Sequence, residues 1–222
     1  MKINSIRRIT NNRKHNAFTG ACWFKGNLYV AYREGDAHVD EYGRLVVLRS
    51  RNKGITWDTV AVCRGEGDTR DAHLYTDGEK LFVVGFQYIE KGNCISGCSY
   101  SYDGERWTLW KPYSGTGNFV MWRPQWYKSS YYCAGYTSEG AVHWFESKDG
   151  LSWEDKKIIY ESPEEEPNEC ALEILPDGTA IMLMRCEKRE TILISVAVNI
   201  HLLPGICSSS GIYHLQVLRY GA

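Results

Sequence analysis

Ser50-Arg51-Asn52-Lys53-Gly54-Ile55-Thr56-Trp57, Ser101-Tyr102-Asp103-Gly104-Glu105-Arg106-Trp107 and Ser147-Lys148-Asp149-Gly150-Leu151-Ser152-Trp153 are three versions of one phrase. Each runs from a serine through an amide or acid and a glycine to a tryptophan. The tryptophans stand 50 and 46 residues apart, and a fixed period of that size marks a repeat architecture. Each copy reads mechanically as a hairpin turn. The Asn or Asp side chain holds the turn's own backbone, glycine supplies the positive φ, and tryptophan packs a ring beneath the loop.

Working outward, each of these boxes is preceded by an apolar hairpin. The hairpins span 23–32, 74–84 and 126–134, and a fourth spans 174–184. Glycine or Asp-Gly between β-rich runs is a short-range hairpin cue. A third run follows each of the first three hairpins, at 45–48, 95–100 and 141–145, then the box, then a short outer strand. Each unit is thus four antiparallel strands, A to D. The fold class expected is all-β: a β-propeller of four-stranded antiparallel blades in a single domain over 1–222. The units fall at about 16–66, 67–118, 119–164 and 165–190, giving three full blades and the A–B hairpin of a fourth. Residues 191–222 form a tail without a box, and residues 1–10 are a candidate closing strand. A β-sandwich is the competing architecture, but it does not require one turn motif at the same place in every unit.

Composition narrows the partners. Lys+Arg and Asp+Glu number 26 and 27 for a net charge of −1, so no basic surface calls for nucleic acid or an anionic membrane. The basic N-terminus has no apolar stretch behind it, and the apolar region 192–206 is broken by Asn199, His201 and Pro204. Neither reads as a signal peptide or a span, and a cytoplasmic location is the expectation. Eight cysteines lie without a CxxC pair. They read as free buried thiols in a reducing compartment. His15, His73 and His143 show no ligand spacing, so neither a metal nor an organic cofactor is expected.

Strand direction sorts the polar residues. In an A–B–C–D meander the starts of A and ends of B share one end of the sheet, and the boxes lie at the other. The first end collects Arg70-Asp71, Trp122-Arg123 and Asn168-Glu169 from the A starts, and Arg33-Glu34, Gln87 and Arg185 from the B ends. His38 and Asp40 join from the first B–C loop. Converging strands aim these groups at a common mouth suited to an anionic, hydroxylated ligand. Arginine grips a carboxylate with its planar fork, and carboxylates supply acid or base. Each has a plainer reading beside it. Arg70-Asp71 also fits an inter-blade ion pair, Asp40 a solvated loop carboxylate, and the glutamates before Glu169 a solvated loop.

The boxes and the segments between them resemble the Asp-box, or BNR, repeats of the sialidase (neuraminidase) superfamily, over about 16–190. Also similar to uncharacterised sialidase-like proteins of bacteria are His15-Asn16-Ala17-Phe18, Tyr32-Arg33-Glu34-Gly35, Arg70-Asp71, Trp122-Arg123-Pro124 and Asn168-Glu169 followed by Pro176-Asp177-Gly178. The resemblance implies a glycan ligand and, by descent, a retaining exo-glycosidase acting on sialic-acid-type glycosides. It implies Asp40 as proton donor, Glu169 as activator of a nucleophilic tyrosine, and Arg185 as carboxylate clamp. Arg33, Arg70, Asp71 and Arg123 would be accessory substrate-binding residues. The chain departs from the family where the first arginine belongs, at Asn16-Ala17-Phe18-Thr19, and Tyr213 and Tyr220 lack a recognisable motif. A non-catalytic glycan- or protein-binding propeller, or a truncated inactive homologue, is the alternative.

Overall fold

The computed structural model describes residues 6–90, 92–188, 193–199 and 216–219, the last two segments as backbone strands. Sixteen strands among the described residues form four sheets of four, each a meander of consecutive antiparallel strands. The first sheet is β1 (His15–Phe24), β2 (Asn27–Gly35), β3 (Arg44–Ser50) and β4 (Asp58–Cys63). The second is β5 (Asp68–Thr76), β6 (Leu81–Glu90), β7 (Asn93–Ser101) and the two-residue β8 (Lys111–Pro112). The third is β9 (Val120–Tyr127), β10 (Ser130–Tyr136), β11 (Ala141–Ser147) and β12 (Trp153–Glu161). The fourth is β13 (Pro167–Ile174), β14 (Thr179–Cys186), β15 (Leu193–Asn199) and β16 (Gln216–Arg219).

The strands expected from the boxes and hairpins are present, and the fold is an all-β propeller. The fourth sheet is fuller than its sequence signals. β15 pairs with β14 from Thr179↔Asn199 to Arg185↔Leu193, and β16 pairs with β15. Two strands therefore lie in the tail that carries no box. Residues 6–14 form no strand, so the closing strand expected from the N-terminus is not found there; its first five residues lie outside the described set.

Innermost strands pack β1 on β5, β5 on β9 and β9 on β13, and the core lies between neighbouring blades. Tyr29, Leu45 and Val47 of the first blade meet Leu81 and Val83 of the second. Tyr75, Phe82 and Val84 of the second meet Met121, Tyr131 and Phe145 of the third. Trp144 and Val142 of the third meet Leu172, Met182 and Met184 of the fourth. Each such side chain contributes roughly 1.5–3 kcal/mol by leaving water. A sheet covered on both faces needs apolar residues without alternation, and β6 is buried without a break from Leu81 to Gln87. β14 alternates instead: Ala180, Met182 and Met184 are buried, whereas Leu183 and Arg185 are exposed.

The boxes are built as their residues require. In the third, the Ser147 hydroxyl accepts from Gly150 N at 2.9 Å, and Asp149 accepts from Leu151 N and Ser152 N at 2.7 Å each. In the second, Ser101 accepts from Gly104 N, and Asp103 from Glu105 N and Arg106 N. The first substitutes Asn52, which accepts from Thr56 N at 2.8 Å. Each later box also leans on the preceding blade. Gly104, at φ +75°, sits so close to Tyr29 that a Cβ would stand 1.9 Å from its hydroxyl, and Gly150 faces Tyr75 and Phe82. The boxes are joints between blades.

Candidate functional site

Nine non-glycine residues among those described have positive φ, and four of them occupy one step of four different innermost strands: Phe18 (55°), Asp71 (58°), Arg123 (52°) and Glu169 (43°). Each coincides with a break in the A–B register, between Ala17 and Gly20, Arg70 and His73, Trp122 and Gln125, and Asn168 and Ala171. These are β-bulges, which re-aim a side chain while leaving the rest of the strand paired. A positive φ costs an L-residue about 1–3 kcal/mol and persists only where the surroundings enforce it. Here the enforcement is repeated once per blade, and three of the four bulge residues are ionisable.

Asp71 is buried, and burial pushes its carboxyl up to about 7. The Arg70 guanidinium pulls the other way, and the Glu169 carboxylate adds to the rise. Glu169 is itself paired with Arg185, Nη1 to Oε1 at 2.7 Å. Arg185 also holds Glu187, and both partners of the Glu169 pair remain partly exposed. Tyr136, at the end of β10, completes the group. Burial, then Asp71 and Glu169, raise its phenol well above the ordinary range and keep it protonated. The bulges of the second and fourth blades thus bring a buried acid and an arginine-paired acid within electrostatic reach of each other.

Next to Asp71 in sequence, Asp68 and Arg70 belong to a buried truss. Arg33 donates to Asp68 from Nε at 2.7 Å and Nη2 at 3.0 Å, and to the Ala37 carbonyl from Nη1 at 2.9 Å. Arg70 pairs with the same Asp68 at 3.0 Å and donates to the His38 carbonyl. Its guanidinium is sandwiched between the Phe18 and Tyr88 rings, 5.4 and 5.5 Å from their centroids. Arg33 is fully buried and Arg70 nearly so. Both arginines fasten the 36–43 loop to the second blade rather than presenting a free fork to a ligand. A desolvated pair of this kind is a framework element.

Asp40 sits in that loop. Its carboxylate accepts from Asp36 N at 2.6 Å and Tyr42 N at 2.9 Å, and these two backbone donors hold it below the ordinary range. That is the reverse of what a proton donor at neutral pH needs. Arg123, by contrast, is exposed and makes no ion pair or hydrogen bond among the described residues. It lines a cavity of about 540 Å³ between β1, β5 and β9 with Thr19, His73 and Gln125. β1 and β5 come close there because Gly20 has no side chain; a Cβ would stand 2.9 Å from the backbone of residues 72–74. The glutamates before Glu169 are not all solvated: Glu165 is buried and accepts from the Tyr160 hydroxyl.

The residues expected at the mouth therefore divide. Asp71, Glu169 and Arg185 come together, Arg123 lines the adjoining cavity, and Arg33, Arg70 and Asp40 hold the loop. Tyr136, Asp68 and His73 were not singled out for this end. Asp68 and His73 flank Arg70-Asp71 by two residues, and that spacing was the available signal. Tyr213 and Tyr220 lie outside the described residues. Cys22, Cys63, Cys94, Cys98, Cys133 and Cys170 are free thiols, and among the described residues no group of three or more His, Cys, Asp or Glu could hold a metal.

No family model and no curated protein sequence matches the chain. Solved structures do. A protein of unknown function from Dyadobacter fermentans superposes with a TM-score of 0.69 at 17% identity, over 84% of this chain and 66% of that one. A family 117 glycoside hydrolase from Zobellia galactanivorans gives 0.65 at 13% identity, over 96% and 73%. A sialidase from Streptococcus pneumoniae gives 0.64 at 11% identity, over 82% and 49%. Sialidases are thus one of several glycosidase groups that share this architecture, and the likeness does not single them out. What the chain has in common with all of them is the β-propeller fold.

Proposed function

We propose that the chain carries the catalytic mouth of a glycoside hydrolase, with Asp71 as proton donor and Glu169 as the ionised partner carboxylate. The observation that supports this most is the upward shift of Asp71 to about 7, caused by burial and reinforced by Glu169. Two carboxyl groups whose surroundings separate their protonation states are the working parts of most glycosidases. Asp71 would protonate the departing glycosidic oxygen while Glu169, ionised beside Arg185, answers the positive charge growing on the sugar ring. This departs from the tyrosine-nucleophile scheme, because Tyr136, the tyrosine that senses Glu169 among the described residues, is held as a neutral phenol. The substrate class we favour is a glycoside of an acidic sugar, sialosides among them, because Arg123 and Arg185 bring cationic groups to the same end.

A non-catalytic glycan-binding propeller is the second reading. It is favoured by the Glu169–Arg185 pair, which occupies the partner carboxylate, and by Phe18, which leaves the first blade's bulge without an acid. A panel of fluorogenic glycosides, neutral and acidic, separates the two. The enzyme reading expects turnover that Asp71→Asn reduces by about 10²-fold or more and that Asp40→Asn leaves in place. Saturable binding of the panel without turnover would establish the binding module instead.

A further inference from the structure

Arg70 and Asp71 are neighbours in the chain, and a guanidinium within about 4–6 Å lowers a carboxyl by about one to three pH units. In this protein the two do not pair. Asp71 makes no ion pair or hydrogen bond among the described residues, and Arg70 is engaged elsewhere. Its Nη2 lies 3.0 Å from Asp68 and donates to the His38 carbonyl, while the Phe18 and Tyr88 rings close on the guanidinium at 5.4 and 5.5 Å. Cation–π contacts in so desolvated a place are worth about 2 kcal/mol. The Arg70 Nε stays buried without a partner, at a cost of about 1–3 kcal/mol. An arginine that leaves a donor unused beside a neighbouring carboxyl is held by its surroundings. The bulge adds to the separation. Asp71 has a φ of 58°, and the register breaks between Arg70 and His73, which re-aims the side chain.

We propose that Phe18, Tyr88 and Asp68 are positioning residues for Asp71, which divert the Arg70 guanidinium so that Asp71 stays a protonated acid. The strained bulge at Phe18 then has a purpose. At φ 55° it fills the first blade's socket with a ring that caps an arginine of the second. Asp68 supplies the hook, and Tyr88, on β6, the other wall. Burial does most to raise the Asp71 carboxyl, to about 7; Arg70 pulls it down, Glu169 and Asp68 push it up, and Arg33 pulls it down. Tyr136 and Cys94 also sense Asp71, and burial keeps both neutral at pH 7. Arg70 is thus the strongest opponent of the proton, and its confinement leaves burial in command. Only the use of that proton on a glycoside rests on the glycosidase reading; the diversion stands on the contacts of Arg70.

Carboxyl ¹³C shifts of Asp71, followed through a pH series on the full chain, test the diversion. Phe18→Leu/Tyr88→Leu removes both rings without touching a charge. Arg70 is then free to swing to Asp71, and the midpoint should fall from about 7 by about one pH unit or more. Phe18→Tyr keeps the ring and should keep the midpoint. In an Arg70→Met background, where Arg33 still holds Asp68, the double substitution should move nothing. Arg70→Met alone should leave the midpoint at about 7 or above. Asp68→Asn, which unhooks Arg70, should lower it further in the natural chain than in that background. A midpoint unmoved by loss of the rings, or moved equally with and without Arg70, overturns the proposal. Phe18→Leu alone, the milder change in packing, should show part of the same fall, and its absence there counts equally against it. In an active enzyme the basic limb of kcat/KM should follow the midpoint down; a merely structural role of the rings would change the rate and leave the limb in place. A chain that hydrolyses no glycoside yet shows the fall loses the glycosidase reading and keeps the diversion.

Discussion

The Glu169 carboxylate, on the innermost strand of the fourth blade, helps hold the proton on Asp71 of the second. The two residues are 98 positions apart in sequence and occupy the same bulge step of their blades. Replacing Glu169 by Gln removes a negative neighbour, which favours the ionised form of Asp71. Its titration midpoint should therefore move down from about 7 in Glu169→Gln. Carboxyl ¹³C chemical shifts followed through a pH series measure this directly, and an unmoved midpoint would show that the two groups do not interact. In an active enzyme the basic limb of kcat/KM should fall near pH 7, where Asp71 gives up its proton.

Stability should carry two opposing pH slopes. Asp71 is raised from 3.8 to about 7, so between those values the folded chain holds a proton that the unfolded chain has lost. Its contribution to stability falls as pH rises through that window. His73 is lowered from 6.5 to about 3, so the unfolded chain holds the extra proton there, and its contribution rises with pH. The two nearly cancel between about pH 4 and 6.5. Asp71→Asn should leave the rising slope, and His73→Phe the falling one, each approaching about 1.4 kcal/mol per pH unit. Urea midpoints across that range test this. Parallel profiles for all three proteins would contradict it.

Arginines that look alike in sequence should behave oppositely. Arg33 is fully buried with its fork on Asp68, so Arg33→Met leaves that buried carboxylate to Arg70 as its one guanidinium partner and should destabilise by about 3 kcal/mol. Arg123 makes no ion pair or hydrogen bond among the described residues, and Arg123→Met should change stability by no more than about 0.5 kcal/mol. Denaturant unfolding of the two variants makes the comparison.

The second box should resist even a methyl group. Gly104→Ala combines a φ of +75° with a Cβ 1.9 Å from the Tyr29 hydroxyl, and should destabilise by about 2 kcal/mol or more. Tyr29→Phe in the same chain should return part of that loss, because it removes the atom the methyl strikes. Thermal melts of the single and double variants check it; additive losses would show that the two groups do not meet.

The architecture was legible because its signals are local. Serine, Asp or Asn, and glycine build a box within seven or eight residues, and Asp77-Gly78 or Asp177-Gly178 closes a hairpin within four. β15 and β16 escaped because no box joins them. The end of the blades that carries the polar residues could be read from strand direction alone. Which of those residues face a ligand could not. Arg33 and Arg185 share a phase in the repeat, yet Asp68 captures Arg33 completely and Glu169 meets Arg185 near solvent. That difference arises from contacts across blades, which spacing within one blade does not encode. The same holds for Asp71, whose proton depends on a residue two blades away; Asp40 differs, because its partners are the amides of its own loop and only the loop's folded path brings them to it.

The bulges have a consequence for how such a protein can change. Because each described blade kinks at the same rung, the innermost strands present four equivalent sockets, filled here by Phe18, Asp71, Arg123 and Glu169. Backbone register above and below each socket is set by its own blade's hairpin, not by the side chain that fills it. A single-codon exchange at one socket can therefore retune charge or chemistry without disturbing the blades, whereas an insertion between a socket and its hairpin turn would shift every rung that follows. The scaffold separates what must stay constant from what is free to evolve.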